Sequence, residues 1–423
     1  MKGISYKTYF IKEEEEAAFT LPVPTSHFIE NEFYKIFHDE KGVHILDKRT
    51  QAIHEQAILI EDAGDEGDSF DYSYPDYDWQ ITDQLEHANI DYTASPYEQS
   101  MKISGCMEVP RNLQERKEKK QTGILNYEIN LRLETQSPVI KISGTFNNDS
   151  EQHRVRLIFT GQQANTHSFA GTQYSIIKRK TFSEEETYWK EKEYFEEPSP
   201  IYPLLNHVSA VHDKQVMTVY TRSSKEYEFV GEGYKNIGVT IFRAYGALGY
   251  PDLNRRPGRP SGLDYRVFET PTCQMLGDNH FELGLSYQTE FEENTVFNQY
   301  VEYATDSSVY QKQSFDKSIN PIDYFPTNPL KNQLPTECEF LEIENGEGVF
   351  GSLVKSDQSN AYLLRVFNSK AEEVDAGQLK GAISKNTSVV TNLEETEEKA
   401  MNEKTTRLQS GELRIIKINR GEN

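Results

Sequence analysis

The run Tyr127-Glu128-Ile129-Asn130-Leu131-Arg132-Leu133 alternates apolar and polar side chains without a break. A period of two is that of an extended strand with one face in a core and the other in water. The same signature recurs at residues 139–143, 153–159, 216–220, 239–242 and 361–367, mostly separated by Gly, Asn, Asp or Pro, whereas long helical periodicity is almost absent. Residues 33–37 and 43–46 flank a polar turn ending in Gly42, which predicts a hairpin. Many short strands with turn signals between them predict an all-β chain built as an antiparallel β-sandwich.

At 423 residues the chain exceeds one ordinary core. The Asn-Pro and Leu-Pro steps between residues 321 and 335 break the strand pattern. They predict a large sandwich over 28–325 and a smaller β-sandwich over 326–423, with 1–27 as a linking segment. Residues 113–121 and 182–197, crowded with charge, read as surface loops or short helices. The acidic run Glu394-Glu395-Thr396-Glu397-Glu398 reads as a solvated face.

Charge excludes some partners. Lys and Arg number 45 against 68 Asp and Glu, a net charge of −23, which opposes nucleic acid and anionic membrane surfaces. Without an apolar signal core or a membrane-length apolar run, the expected location is cytoplasmic. Cys106, Cys273 and Cys338, widely spaced and odd in number, agree with a reducing compartment. A homo-oligomer is carried as one further partner arrangement, which composition does not decide.

Two stretches are candidates for chemistry. In Glu61-Asp62-Ala63-Gly64-Asp65-Glu66-Gly67-Asp68-Ser69-Phe70-Asp71-Tyr72-Ser73-Tyr74-Pro75 four aspartates recur every third residue among glycines and aromatics. Clustered carboxylates suit calcium, but a calcium loop needs acids at alternate positions and a Glu where this chain has Ser73. Two further readings are sugar recognition, by carboxylates accepting from hydroxyls beside an aromatic ring, and a structural loop rich in turns. A glycosidase acid pair must flank one bond at a fixed separation, a geometry that one flexible acidic loop rarely holds. The second stretch, 242–260, carries Arg255, Arg256 and Arg259 close together. Forked guanidinium donors there either clamp the acidic loop or touch a ligand. The ten His have no metal-binding spacing, and no nucleophile elbow or phosphate loop occurs.

At these same residues the chain resembles the C-terminal region of bacterial α-mannosidases of glycoside hydrolase family 38, including the mannosylglycerate hydrolase type. The acidic loop is similar to the family's E-D-x-G-D-x-G-D-x-Y-[ND]-Y-S signature, with Phe70 where Tyr is usual. His153-Arg154-Val155-Arg156-Leu157, Ile241-Phe242-Arg243-Ala244-Tyr245-Gly246, Arg256-Pro257-Gly258-Arg259, the run from Pro271 to Gly277 and Tyr362-Leu363-Leu364-Arg365-Val366-Phe367-Asn368 follow in the family's order. The resemblance covers about residues 28–420.

That resemblance implies a galactose-mutarotase-like super-sandwich and, for the parent enzyme, retaining hydrolysis of terminal α-mannosides with a zinc ion. The nucleophile and zinc belong in the family to an N-terminal catalytic barrel marked by His-x-His-x-Asp, a motif this chain lacks. The expectation is a substrate-shaping half with mannose-containing carbohydrate and the N-terminal catalytic domain as partners, no catalytic residue or metal of its own, and no activity alone. Asp68, Phe70 and Asp71 are implied as the rim of the sugar site, with Arg256, and Arg255 beside it, pointing toward substrate. Phe70 has no hydroxyl to offer, so its contact would be stacking or backbone. The rivals are a free-standing carbohydrate-binding or structural sandwich, and an epimerase with a His and an acid facing across one cleft.

Overall fold

A computed structural model describes residues 3–9, 27–258, 265–306, 335–401 and 406–420. They form two compact units, Ala18–Tyr300 and a second that joins Met1–Ala17 to Val301–Asn423. The expected division at residue 325 lies outside the described residues. The segment expected as a linker contains a strand, Ile4–Lys7, paired antiparallel with the Glu337–Glu344 strand.

The large unit is built on a nine-stranded and a six-stranded antiparallel sheet, with a four-stranded sheet beside them. The alternating run is the centre of the Gly123–Glu134 strand, whose Leu125, Tyr127, Ile129, Leu131 and Leu133 are buried while Glu128 is exposed. They share one apolar cluster with Ile58, Ile60, Val155, Leu157, Phe159, Ile237 and Val239 of the six-stranded sheet. Phe146 and Phe242, one from each sheet, meet edge to face with ring centres 6.5 Å apart. Apolar burial of this extent is what holds two sheets face to face. In the predicted hairpin Tyr34–Asp39 turns directly into Gly42–Asp47, with Asp39 opposite Gly42. Gly42 has φ +113°, and a Cβ there would overlap the Gln84 carbonyl oxygen, so both conformation and space demand glycine.

The six-stranded sheet departs from simple alternation in one strand. All seven residues of His153–Phe159 are buried, including Arg154, Arg156 and Ile158, which face away from the core; Tyr72 lies over Arg154, and Glu61 and Glu228 of the same sheet bind Arg156. That covered polar face locates the candidate site.

The smaller unit carries a five-stranded antiparallel sheet in the order Val349–Lys355, Ala361–Phe367, Leu413–Asn419, Ser388–Thr391, Glu398–Ala400, and a three-stranded sheet that includes Ile4–Lys7. Its core gathers Leu341, Leu364, Val366, Leu408, Ile416 and Ile418. Sequence periodicity missed the twelve-residue helix Glu293–Ala304. No helix among the described residues is long and apolar enough to cross a membrane.

One core residue makes stability depend on pH. His207 is fully buried, packs edge-on to Phe297 at 5.0 Å, and neither ring nitrogen has a hydrogen-bond partner among the described residues. Burial pushes its pKa down to about 3, well below that of an unfolded histidine, so between those values only the unfolded chain takes up the proton. This histidine's stabilising contribution is complete above pH ~6.5 and falls by about 1.4 kcal/mol per pH unit as pH drops toward 3. Urea unfolding at pH 7 and pH 5 should show the wild type losing about 2 kcal/mol more than His207→Leu. Parallel losses in the two proteins contradict this account.

Candidate functional site

The acidic loop leaves the Ile58–Gly64 strand where Gly64 pairs with His153 and is folded by its own carboxylates. Asp65 Oδ1 accepts from the amides of Gly67 (2.9 Å) and Ser73 (3.4 Å). Asp68 Oδ1 accepts from those of Phe70 (2.9 Å) and Asp71 (3.2 Å). These are local turns that aspartate favours by binding backbone donors a few residues ahead. A Cβ on Gly67 would overlap the Asp71 carbonyl oxygen, so the tight return of the chain requires glycine there.

At a spacing of three, Asp62, Asp65 and Asp68 each meet a separate arginine, and Asp71 shares that of Asp68. Asp62 is bound by Arg116 Nη2 and, at 2.5 Å, by His153 Nδ1. Asp65 Oδ2 takes Arg243 Nε at 2.7 Å, and Arg243 Nη2 also donates to the carbonyls of Asp68 (3.1 Å) and Asp71 (2.7 Å). Asp68 Oδ2 takes Arg256 Nη2 at 2.5 Å and the Tyr250 amide at 2.8 Å. Asp71, its side chain 47% exposed, meets Arg256 Nη1 at 3.4 Å. The first three carboxylates are wholly buried. Burial pushes the Asp65 carboxyl up, and the Arg243 guanidinium opposes the rise. Of the two readings of the arginine stretch, the clamp is realised by Arg256 on Asp68. Arg259 lies outside the described residues.

The loop then covers the outward face of the six-stranded sheet. Tyr72 lies over the buried Arg154, with the guanidinium 3.7 Å from the ring centre, a distance at which a desolvated cation is attracted to an aromatic face. Arg156 binds Glu61 and, at 2.5 Å, Glu228, which also meets Arg154 at 3.2 Å. Two cavities flank this layer. A cleft of about 190 Å³ is lined by Phe70, Asp71, Tyr72, Tyr202, Arg243 and Arg255 among others. A groove of about 610 Å³ shares Tyr72 and Arg255 with it and adds the Arg154, Arg156 and Glu228 cluster. Arg255 is held by Glu197 at 3.3 Å and by the Pro198 carbonyl at 3.1 Å, and Tyr74 Oη reaches the same Glu197 at 3.2 Å.

The five residues singled out from the sequence therefore divide. Phe70, half exposed, Asp71 and Arg255 line one cleft. Asp68 and Arg256 lie behind it: all four acceptor positions of Asp68 are in use, and the Arg256 guanidinium sits 5.6 Å from the Phe70 ring centre. They set the loop and its phenyl ring in place. Sequence reasoning missed Tyr72, Arg243 and Glu197 as parts of the site, and Arg116 and His153 as the anchors of Asp62. Period two in His153-Arg154-Val155-Arg156 was the available signal, since it sets two arginines on the face opposite the core. An open phenyl face, a carboxylate and guanidinium donors around one cleft suit a hydroxyl-rich ring with an apolar face. Among the described residues no three His, Cys, Asp or Glu side chains are grouped to hold a metal.

No family model matches the chain. Over 280 residues, 62% of this chain and 28% of the relative, it is 24% identical to the "putative mannosylglycerate hydrolase" of Halalkalibacterium halodurans. Two solved structures share its fold at 20% identity: an alpha-mannosidase from Enterococcus faecalis V583 (TM-score 0.72, 94% of this chain and 43% of that one) and an Enterococcus faecalis protein of glycosyl hydrolase family 38 (TM-score 0.73, 97% and 46%). The chain thus spans less than half the length of each of these proteins.

Proposed function

Taking as premise that this chain is a homologue of part of a family 38 glycoside hydrolase, its C-terminal region, we propose that it forms one wall of the sugar site of a retaining α-mannosidase. The observation that carries the reading is the clamped loop, which presents an exposed phenyl ring and Asp71 beside a cleft. Phe70 stacks on the apolar face of a mannose ring, Asp71 and Arg255 bond its hydroxyls, and Asp68, Arg256, Asp65 and Arg243 position them. Rigid support of this kind lowers the ordering cost of binding.

The hydrolytic groups lie elsewhere. Retaining hydrolysis needs one carboxylate to attack the anomeric carbon and a second carboxylic acid to protonate the leaving oxygen, about 5–5.5 Å apart. Asp62, Asp65 and Asp68 are buried beneath their cationic partners, and the other acid that shares the cleft with Asp71, Glu226, accepts from Thr240 Oγ1 at 2.7 Å. The same three do not fit zinc, because cations and amides already occupy their oxygens. Nucleophile, acid and zinc would come from the N-terminal catalytic domain of the parent enzyme.

The test is saturation-transfer NMR on the chain with methyl α-D-mannopyranoside. Transfer to the mannoside should occur, and Phe70→Ala should weaken binding at least tenfold, about 1.4 kcal/mol. Absence of transfer would falsify the sugar-wall reading, and release of nitrophenol from 4-nitrophenyl α-mannoside by the chain alone would refute the division of labour.

A further inference from the structure

A third cavity, about 340 Å³, lies in the large unit and shares no lining residue with the two around the acidic loop. Its size falls within the range of small-molecule pockets. Five separated segments build it, contributing Ala52, His54, Ala210, Val216, Met217 and Tyr287 to its walls. His54 and Tyr287 are stacked, with ring centres 3.7 Å apart and planes 15° from parallel. Planar surface and aliphatic carbon together favour a flat apolar body.

The wall is fixed before any ligand arrives. The Tyr287 carbonyl accepts Arg49 Nη2 at 2.7 Å, and the Tyr287 amide donates to Tyr34 Oη at 3.0 Å. Arg49 is held in turn by both oxygens of Asp47, at 2.9 and 2.8 Å. Three buried polar atoms of the lining residues have no hydrogen-bond partner among the described residues: His54 Nδ1, Tyr287 Oη and Gln288 Oε1. Each of these atoms is itself closed to solvent, so they lie inside the wall and are not the ligand's contacts.

Charge selects the ligand's class. Asp47 is the one acid of the lining, and Arg49 already neutralises it. Lys214 and Lys235 also line the cavity, and neither is ion-paired among the described residues. In a chain of net charge −23 this is a local excess of positive charge. Burial pushes His54 down to about pKa 4, so it meets a ligand as a neutral ring.

The geometry points to a binding site for a small organic carboxylate with a planar apolar body, the ring lying against the His54–Tyr287 wall and the anion facing Lys214 and Lys235. This is independent of the sugar-wall reading.

The experiment is a fluorine-19 NMR titration of the full chain at pH 7 with 4-fluorobenzoate, 4-fluorobenzyl alcohol and 4-fluorobenzylamine. Saturable binding of the carboxylate is expected, with the alcohol at least tenfold weaker and the amine weaker still. Lys214→Glu combined with Lys235→Glu should weaken the carboxylate at least tenfold with an unchanged melting curve, and Phe70→Ala should leave it unaffected. Equal affinity for the three probes, an unaltered affinity in the lysine variant, or no saturable binding overturns the assignment.

Discussion

Methionine in place of Arg116 should lower the unfolding free energy by about 3–5 kcal/mol. Arg116 sits in the short helix Leu113–Glu118, which Asn112 caps by accepting the Glu115 amide and which ends at Lys119 with φ 56°. Its side chain is 1% exposed and reaches Asp62 and the Trp79 carbonyl. Asp62 has no access to water, so without the guanidinium an ionised carboxylate is left buried with only His153 beside it. The attraction within such a pair scarcely exceeds the cost of desolvating two charges, but breaking it from one side leaves that cost unanswered. Denaturant unfolding measures the effect. A surface arginine would cost less than about 0.5 kcal/mol, so a loss that small contradicts the buried position. Pairing Arg116→Met with Asp62→Leu should recover part of the loss, since the two residues form one unit.

Leucine at Arg243 should release the acidic loop. Four hydrogen bonds end on this guanidinium, two on Asp65 and one each on the carbonyls of Asp68 and Asp71. Asp65 would remain wholly buried without its partner, again a loss of about 3–5 kcal/mol. Burial already pushes the Asp65 pKa up against the pull of Arg243, and the substitution removes that pull. A carboxylate whose folded pKa lies above its unfolded value gains stability on protonation, so the variant's deficit should be largest at pH 7 and shrink as pH falls toward 4. Hydrogen exchange at the amides of Gly67, Phe70 and Asp71, together with mannoside affinity, reports the loosened loop. A deficit that does not change with pH, or a loop as protected as in the wild type, contradicts the clamp. Arg243→Lys keeps the charge and loses the fork, so it should fall between the two.

Strands were legible where one face meets the core and the other meets water. The stretches at 153–159 and 361–367 coincide with observed strands, and 127–133 and 216–220 fall short of theirs by a few residues at the ends. Ends are set by pairing partners, and a single strand's period carries no information about those. The helix Glu293–Ala304 was missed although Val296, Phe297, Tyr300, Val301 and Tyr303 recur at helical spacing, because a single short run of this kind stands out little in a chain dominated by period two. Residues 113–121 were read as surface from their charge, which is right for Lys117 and wrong for Arg116. A buried cation is indistinguishable from an exposed one until its counter-charge, here 54 positions earlier, is brought beside it.

The candidate site was legible in kind and less so in detail. Four aspartates at a spacing of three announced a built loop, and the arginine stretch left open whether it clamps that loop or meets a ligand. Pairing each acid with its cation could not be read, because the three main clamps approach from a helix, a strand and a loop that lie 54, 178 and 188 positions along the chain from the aspartates they hold. That is also why Asp68, expected at the rim, is found beneath it while Phe70 stands out.

Pairing of Ile4–Lys7 with the Glu337–Glu344 strand imposes an order of events during synthesis. During synthesis the Ile4–Lys7 strand must wait until more than three hundred further residues have followed before its hydrogen-bonding edge finds a mate. Closing so long a loop costs only logarithmically more than a short one, but the wait exposes an unpaired edge throughout translation. Few of its own residues can hide that edge, so a chaperone or a slow step in elongation would affect the yield of the small unit more than that of the large one.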